Sequence, residues 1–382
     1  MSDAVRLALF YAAAFFLVGI SLPFWPVWLT GRGLSAGEIG LVLAVAQCVK
    51  VVVNPLAGLI ADRSDRRRAV MIGLAAINLG GFLLFVPARG WWPLLLINAL
   101  TTAAASALLP LGETLALGIA YAHRLDYGRI RLWGSVSFIV AALAAGAVVG
   151  AGSSEIILGL LIGAAALNLL ACLQLPAPVA APSRLVRTDW RRLLFDRRQI
   201  LFLLAATAIQ ASHSVYYGFG TLHWRALGYS TRTIGLLWAE GVIAEIVLFA
   251  TGATLLARLG PARLLVLAGA AGVLRWSLMA GAASLPLLLF AQALHALTFG
   301  AAHLGAMHFM ARALPAEWSA TGQSLYAAIV SGIGFGLVMA ASGELYGAFG
   351  AGSYLVMAAL AGFGVVAGLA LGRSWRGEIL AS

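Results

Sequence analysis

Long apolar runs separated by short polar stretches follow one another along the whole chain. A helix needs about 20 mostly apolar residues to cross the hydrocarbon core of a bilayer, and twelve runs reach that length. They cover residues 6–29, 36–61, 69–88, 92–121, 130–151, 154–175, 199–225, 231–257, 262–283, 286–312, 320–347 and 351–372. The pattern predicts an all-α membrane protein with twelve transmembrane helices that is embedded in a lipid bilayer and has little soluble structure.

The basic residues are distributed unevenly between the predicted loops. The chain is 62% hydrophobic and carries a net charge of +11. If the N-terminus is cytoplasmic, nineteen of the 25 basic residues lie on the cytoplasmic side, and only Arg32, Arg89, Arg225 and Arg232 lie on the outer side. Cytoplasmic loops of membrane proteins carry such an excess. We therefore expect a multi-pass protein of the cell inner (plasma) membrane with both termini cytoplasmic, and no nucleic-acid partner.

An internal repeat divides the chain. The segment GLSAGEIGL at 33–41 returns as GYSTRTIGL at 228–236, an offset that also carries Arg63 onto Arg258. This predicts two parallel six-helix bundles, residues 1–175 and 199–382, joined by a cytoplasmic linker at 176–198. Secondary transporters that alternate access to a site near the midplane are built from such repeats.

The loop after the second predicted helix contains NPLAGLIADRSDRRR. Gly58, Asp62, Arg63 and the arginines from Arg66 to Arg68 resemble the loop signature of the major facilitator superfamily, with Asp65 at the position of its usual second glycine. The resemblance implies a cytoplasmic gate, in which Asp62 can cap a helix end while the arginines neutralise helix C-termini. The alternative is that these arginines only set the topology.

Three further segments show which members of this superfamily the chain resembles most. PFWPVWL at 23–29, PLAGLIADR at 55–63 and DYGRIRLWGSVSF at 126–138 resemble the lactose permease family and, more closely, the phenylpropionate permease group of proton symporters. The resemblance implies the major facilitator fold, a small-molecule substrate and a proton as transported partners, no enzymatic activity and no cofactor.

The same resemblance suggests substrate contacts. Glu113 and Arg131 match an acid and an arginine that hold the sugar in lactose permease, and Phe138 stands where that relative stacks a tryptophan. A purely structural ion pair is the alternative for Glu113 and Arg131, since an acid at membrane depth is costly unless paired. These residues keep a sugar or a nucleoside open as substrate.

Lys50 is the single lysine of the chain and lies near the middle of the second predicted helix. A buried cation requires a counter-ion. We expect a substrate carboxylate to provide it, next to Trp25 and its aromatic neighbours Phe24 and Trp28. A permanent pair with Glu113 or another acid is the alternative.

Counting residues along predicted hairpins brings three polar side chains to one depth. Glu245 lies 15 residues before Gly260 and Arg275 lies 15 after it, so both are about 22 Å from one membrane face. The same count across the next turn places His295 at the same depth as Arg275. An acid, a guanidinium and an imidazole that converge near the midplane are what proton coupling needs.

Arg275 and His295 also match the arginine and histidine of the lactose permease coupling network. Two acids of that network are replaced, by Thr298 and by Val242. Glu245 matches a sugar-contacting asparagine of lactose permease, which implies a contact with the substrate. Our hypothesis is that Glu245 has also become the protonatable group. Glu240 lies on another face of the same helix, where it lines the transport path, pairs with an arginine on the outer side or is solvated.

The remaining histidines carry weaker signals. His303 either lines the cavity below His295 or packs at a helix interface, and His213 is expected to face the cavity from the seventh helix. His303 and His308 do not have the spacing of four residues that a helical zinc site requires, so no metal site is expected.

The sequence favours a proton-coupled symporter of a small organic solute, with an aromatic carboxylate of the phenylpropionate type as substrate. A sugar or nucleoside symporter, a proton-driven exporter and a non-transporting membrane sensor remain alternatives. The oligomeric state is open, and a monomer is compatible with the sequence.

Overall fold

The computed structural model describes residues 1–64, 66–150, 153–177, 195–252, 254, 258–315 and 318–380. Helices make up most of this part, which contains no β-strand. They are α1 Asp3–Gly31, α2 Ala36–Ser64, α3 Arg67–Leu84, α4 Trp91–His123, α5 Tyr127–Val149, α6 Glu155–Leu173, α7 Arg197–Ala211, α8 Ser214–Ala226, α9 Thr231–Val247, α10 Pro261–Gly281, α11 Leu285–Ala293, α12 Ala302–Ala313, α13 Ser319–Tyr326, α14 Phe335–Phe349 and α15 Ser353–Ser374.

Eleven helical segments of the described part are long and apolar enough to cross a membrane. The last of them, Thr321–Ser374, has 54 residues, about twice the length that a bilayer requires. It is divided at Gly350, whose φ of +53° is incompatible with a continuing α-helix. This division gives twelve spans, and the predicted all-α fold with twelve transmembrane helices is confirmed.

Several spans are interrupted in ways that hydrophobic periodicity does not predict. Between α7 and α8, the hydroxyl groups of Ser212 and Ser214 donate to the carbonyls of Ile209 and Ala211, each at 2.7 Å. Such bonds compete with the backbone ladder of a helix. Three π-helical stretches, Leu248–Gly252, Ala296–Ala301 and Ala327–Gly334, interrupt further spans, and π-helical turns often accompany functional sites.

The sequence repeat is also visible in the backbone. Gly33 and Gly228 occupy equivalent positions and have φ values of +86° and +87°, a conformation that glycine adopts without strain. Two residues later, the hydroxyl of Ser35 accepts from the amide of Glu38, and that of Ser230 from the amide of Thr233. The two turns are therefore built alike, as expected for two parallel six-helix repeats.

The chain forms two compact units. The N-terminal unit comprises the described residues of 1–183 and 224–239, and the C-terminal unit those of 184–223 and 240–382. In the N-terminal unit α1 packs against α5 and α6, and α4 packs against α2 and α3; in the C-terminal unit α10 packs against α15 and α12. The predicted boundaries at 175 and 199 stay a prediction, because residues 178–194 of the linker lie outside the described residues.

Candidate functional site

A fully buried cation lies at the centre of the C-terminal unit. The Arg275 side chain on α10 has no solvent exposure. Its Nη1 lies 2.9 Å from His295 Nδ1 and 3.0 Å from Thr298 Oγ1, and its Nη2 donates to Gln292 Oε1 at 3.0 Å. All three acceptors are uncharged when the imidazole is neutral. The contact between Arg275 and His295 confirms the sequence prediction that they lie at one depth.

Aromatic rings enclose this guanidinium. Its central carbon lies 4.5 Å from the centroid of the Tyr216 ring and 4.6 Å from that of Trp276. Both rings are themselves fixed, since Tyr216 donates to Gln292 Oε1 at 3.0 Å and Trp276 donates to Ser212 Oγ at 2.9 Å. Cation–π contacts are stronger where water is excluded, so the position of Arg275 is firmly defined.

His213 extends the network towards the break between α7 and α8. Its Nδ1 lies 3.1 Å from the carbonyl oxygen of Ile209, and its Nε2 lies 3.1 Å from Thr298 Oγ1. Because Nδ1 must donate to the carbonyl, Nε2 accepts from the hydroxyl of Thr298. Thr298 thus accepts from Arg275 and donates to His213. The sequence placed His213 on the seventh helix but gave no sign of this partner.

The helix α9 packs its acidic segment against the span that carries His295. A Cβ built on Gly241 would lie 3.4 Å from His295 Cδ2, and one built on Gly300 would lie 3.9 Å from Glu245 Cγ. Small residues at such positions let two membrane helices approach closely. Glu245 is therefore adjacent to the network but lies about one helical turn from the level of His295, so the common depth predicted for these two residues is not observed.

Glu240 differs from its predicted surroundings. Its Oε2 is buried without a hydrogen-bond partner, and the described part of the chain shows no ion pair for this residue. Glu240 is also close enough to Arg275 for their charges to interact. An outer-side arginine partner is thus not observed. The sequence could not reveal this, because the burial of Glu240 depends on how closely α9 packs next to Gly241.

His303, the other predicted histidine of this unit, is exposed and lies two turns beyond His295. Its ring is parallel to that of Phe299 at 6.5 Å, and Phe299 in turn stacks on His295 at 5.4 Å. Contact of His303 with a substrate stays a prediction.

In the N-terminal unit, the predicted acid and arginine are paired. Arg131 Nε lies 3.3 Å from Glu113 Oε1, and the hydroxyl of Tyr127 donates to Glu113 Oε2 at 2.7 Å. The guanidinium also lies over the ring of Phe15, with 4.2 Å to its centroid. Both charged side chains are partly exposed, by 31% for Arg131 and 39% for Glu113.

Lys50 has a different kind of partner. Its Nζ donates to Gln47 Oε1, one turn earlier on α2, at 2.7 Å. Within the described residues Lys50 forms no ion pair, and Glu113 is held by Arg131 and Tyr127 instead. The alternative of a permanent pair between Lys50 and Glu113 is therefore not observed.

Two aromatic residues predicted near the substrate are packed inside the N-terminal unit. Trp25 is 7% exposed, stacks on Trp28 at 4.6 Å and donates to Asn98 Oδ1 at 2.9 Å. Phe138 is 6% exposed, and its backbone lies against Gly19, where a Cβ would come 2.7 Å from the Phe138 oxygen. Direct contact of Trp25 or Phe138 with substrate stays a prediction.

The predicted gate lies between α2 and α3. Asp62 forms an ion pair with Arg67, the first residue of α3, and does not cap a helix, because it lies within the last turn of α2. Arg68 donates to the carbonyl of Leu173, the last residue of α6, which confirms the predicted neutralisation of a helix C-terminus.

The other predicted gate residues also lie around the end of α2 and the start of α3. Gly58 has open space at its Cβ position, Arg63 and Arg66 are exposed, and Asp65 lies outside the described residues. Gating by this loop stays a prediction.

A model of the MFS_1 like family matches residues 4–356 of the chain. The chain belongs to this family. It is a membrane transporter of the major facilitator type and not an enzyme, and the eleven long apolar helical segments of its described part make it a multi-pass membrane protein.

Curated relatives match over most of the transporter. It is 34% identical over 365 residues to a probable 3-phenylpropionic acid transporter of Escherichia coli, with 93% of this chain and 94% of the relative covered. It is 30% identical over 337 residues to the maltose permease of Geobacillus stearothermophilus, with 85% and 83% covered. The resemblance to the phenylpropionate permease group is thereby confirmed.

Among solved structures, the nucleoside transporter NupG superimposes with a TM-score of 0.84 over 98% of this chain and all of that chain. The two sequences are 20% identical. At that identity the similarity establishes the shared fold and nothing about the substrate.

Proposed function

We propose that the protein is a proton-coupled symporter that carries a small aromatic carboxylate, of the phenylpropionate type, across the inner membrane by alternating access. The termini are cytoplasmic in this proposal. The observation that carries the substrate assignment is Lys50, a half-buried cation that forms no ion pair in the described part of the chain.

A charge at membrane depth is expensive unless it is compensated. The neutral oxygen of Gln47 satisfies one hydrogen of the Lys50 ammonium but leaves its charge uncompensated. An anionic substrate would supply the missing charge on binding. The similarity to the relative from Escherichia coli, a probable 3-phenylpropionic acid transporter, supports a carboxylate over a neutral solute.

Proton coupling is supported by the network in the C-terminal unit. Arg275 is fully buried and bonded to neutral acceptors, so its charge stabilises any nearby acid in the ionised form. Glu245 lies beside this network at Gly300. A carboxyl that approaches Arg275 in one state and separates from it in another exchanges a proton between these states.

Uptake of labelled 3-phenylpropionate into proteoliposomes with an alkaline interior tests the proposal. This weak acid also crosses the membrane of vesicles that contain no protein. The uptake by such vesicles is therefore subtracted from the uptake by proteoliposomes. We expect protein-dependent accumulation that a protonophore abolishes and that Lys50→Gln lowers at least tenfold. Protein-dependent uptake that does not change with the pH gradient would contradict proton symport. Uptake by Lys50→Gln at the wild-type level would contradict the assignment of a carboxylate substrate.

A sugar or nucleoside symporter is the second candidate, favoured by the formed pair of Glu113 and Arg131 and by the maltose permease relative. A ligand that binds the folded state raises the midpoint of thermal unfolding. A screen of the purified protein against aryl acids, sugars and nucleosides therefore separates the two candidates by the class that stabilises it.

A further inference from the structure

One face of α2 carries a row of amide and ammonium groups. Gln47, Lys50 and Asn54 follow one another at spacings of three and four residues, which places them on the same side of the helix. All three are half-buried. Lys50 Nζ donates to Gln47 Oε1 at 2.7 Å, and Asn54 Oδ1 accepts from the hydroxyl of Ser106 on α4 at 2.7 Å.

These two bonds occupy the acceptor oxygens of both amides. The amide nitrogen donors take no part in either bond. In the described part of the chain, Asn54 Nδ2, Gln47 Nε2 and two hydrogens of the Lys50 ammonium have no protein acceptor. Unsatisfied donors at membrane depth cost free energy. No Asp or Glu occurs in α2 between Glu38 and Asp62, so the α2 sequence offers this face no anion of its own.

We propose that Asn54 and Gln47 complete the carboxylate site of Lys50. Asn54 Nδ2 donates to one substrate oxygen, the Lys50 ammonium donates to the other, and Gln47 Oε1 holds the ammonium in position. The proposal rests on the proposed function, since it assumes that Lys50 binds the substrate carboxylate. It assigns Asn54 as a specificity-determining residue and Gln47 as a positioning residue.

The geometry of the helix permits this arrangement. Lys50 and Asn54 are four residues apart, about 6 Å along the axis, a separation that one carboxylate can bridge when each of its two oxygens accepts a hydrogen bond. Two oxygens that share a negative charge match two separate donors, whereas an alcohol offers one neutral oxygen. The site therefore selects monoanionic arylalkyl carboxylates over their alcohol analogues.

Asn54→Asp tests the assignment in proteoliposomes. The variant keeps the shape of Asn54 and its acceptor for Ser106, but it replaces the donors at Nδ2 by a negatively charged oxygen. We expect the KM for proton-driven 3-phenylpropionate uptake to rise at least tenfold. Inhibition by 3-phenylpropan-1-ol, whose weak binding does not use the second donor, should stay within twofold, which a general loss of structure would not allow.

Gln47→Glu provides a second test should Asn54→Asp fold poorly. The new carboxylate would pair with Lys50 and compete with the substrate, so the KM should again rise at least tenfold. Cys48→Ala is the matched control, because Cys48 is exposed on the same turn of α2, and its KM should equal that of the wild type.

The outcomes separate this inference from the proposed function. An unchanged KM in folded Asn54→Asp and Gln47→Glu, together with lost uptake in Lys50→Gln, would overturn the roles of Asn54 and Gln47 alone. Wild-type uptake by Lys50→Gln would instead overturn the proposed carboxylate site itself.

Discussion

The two units stabilise their membrane arginines in opposite ways. In the N-terminal unit, Arg131 is partly exposed and faces Glu113 at 3.3 Å. In the C-terminal unit, Arg275 is fully buried and its guanidinium donates to neutral acceptors. One cation thus has its counter-charge in direct contact, whereas the other relies on hydrogen bonds and aromatic rings.

This difference indicates that the pair of Arg131 and Glu113 serves in substrate binding or in structure, whereas Arg275 is suited to proton coupling. A paired and solvated arginine changes little in energy when a neighbouring acid gains a proton. A desolvated arginine without a bonded carboxylate interacts strongly with every ionisable group nearby. We therefore expect changes near Arg275 to affect proton coupling, and changes near Arg131 to affect stability modestly or substrate binding.

The largest effect is expected from Arg275→Gln. The change removes the donor to three buried acceptors, and hydrogen bonds to charged groups contribute about 1.5–3 kcal/mol each. Stability should fall by roughly 3 kcal/mol or more, and accumulation against a gradient should be lost. Thermal unfolding and proteoliposome uptake measure both. Arg129→Gln, at an 88% exposed side chain, serves as control, and equal behaviour of the two variants would refute the contrast between the units.

Glu245→Gln should separate transport from its driving force. The amide cannot exchange a proton, so pH-driven accumulation should fall to the level without a gradient, while exchange of labelled for unlabelled substrate continues. Glu240→Gln is the matched variant, because Glu240 is also near Arg275. Full pH-driven uptake by Glu245→Gln would eliminate Glu245 as the proton carrier. If pH-driven uptake were lost in Glu240→Gln alone, Glu240 would be the proton carrier instead.

A double-mutant cycle of Glu113→Gln and Arg131→Gln should reveal a smaller energy. Partly exposed ion pairs couple by roughly 0.5–1 kcal/mol, and Tyr127 can still donate to the amide oxygen at position 113. The free energy of unfolding of the four proteins gives the coupling. A coupling above about 3 kcal/mol would show that this pair is as critical as the Arg275 network.

The smallest effect concerns an ion pair outside the spans. Arg198 donates to Asp196 Oδ2 at 2.8 Å and to Glu378 Oε1 at 2.7 Å, and its hydrogen bond lowers the pKa of Asp196. The stability that Asp196 contributes is present above its unfolded pKa of about 3.9 and is lost as the pH falls through its lower folded value.

Asp196→Asn isolates this contribution, because asparagine also caps a helix. Below pH 4 the thermal midpoint of the wild type should fall more steeply than that of the variant. Parallel curves for the two proteins would show that protonation of Asp196 is irrelevant to stability.

The fold was largely predictable because its signals are local. Length and hydropathy define each span, and the predicted ends of α1, α2 and α6 differ from the observed ones by a few residues. The repeat motif made Gly33 and Gly228 equivalent in sequence, and both glycines have a positive φ in the structure. The break between α7 and α8 was not predictable, because it depends on side-chain hydrogen bonds from Ser212 and Ser214.

The site was predictable only in part. The depth count placed Arg275 at the depth of His295, since rise per residue is constant in a helix. It could not identify Gln292 and Thr298 as partners of Arg275, or His213 as a partner of Thr298, because rotation of each helix about its axis is fixed by packing. The buried oxygen of Glu240 was missed for the same reason.

The sequence by itself determined the membrane spans, the internal repeat and the common depth of Arg275 and His295, because these follow from hydropathy and helix geometry. Tertiary structure alone decided which charges meet. It paired Glu113 with Arg131, left Lys50 with an amide oxygen and enclosed Arg275 among neutral acceptors. The physical reason is that close approach at glycines such as Gly241 and Gly300 sets which side chains come within hydrogen-bonding distance.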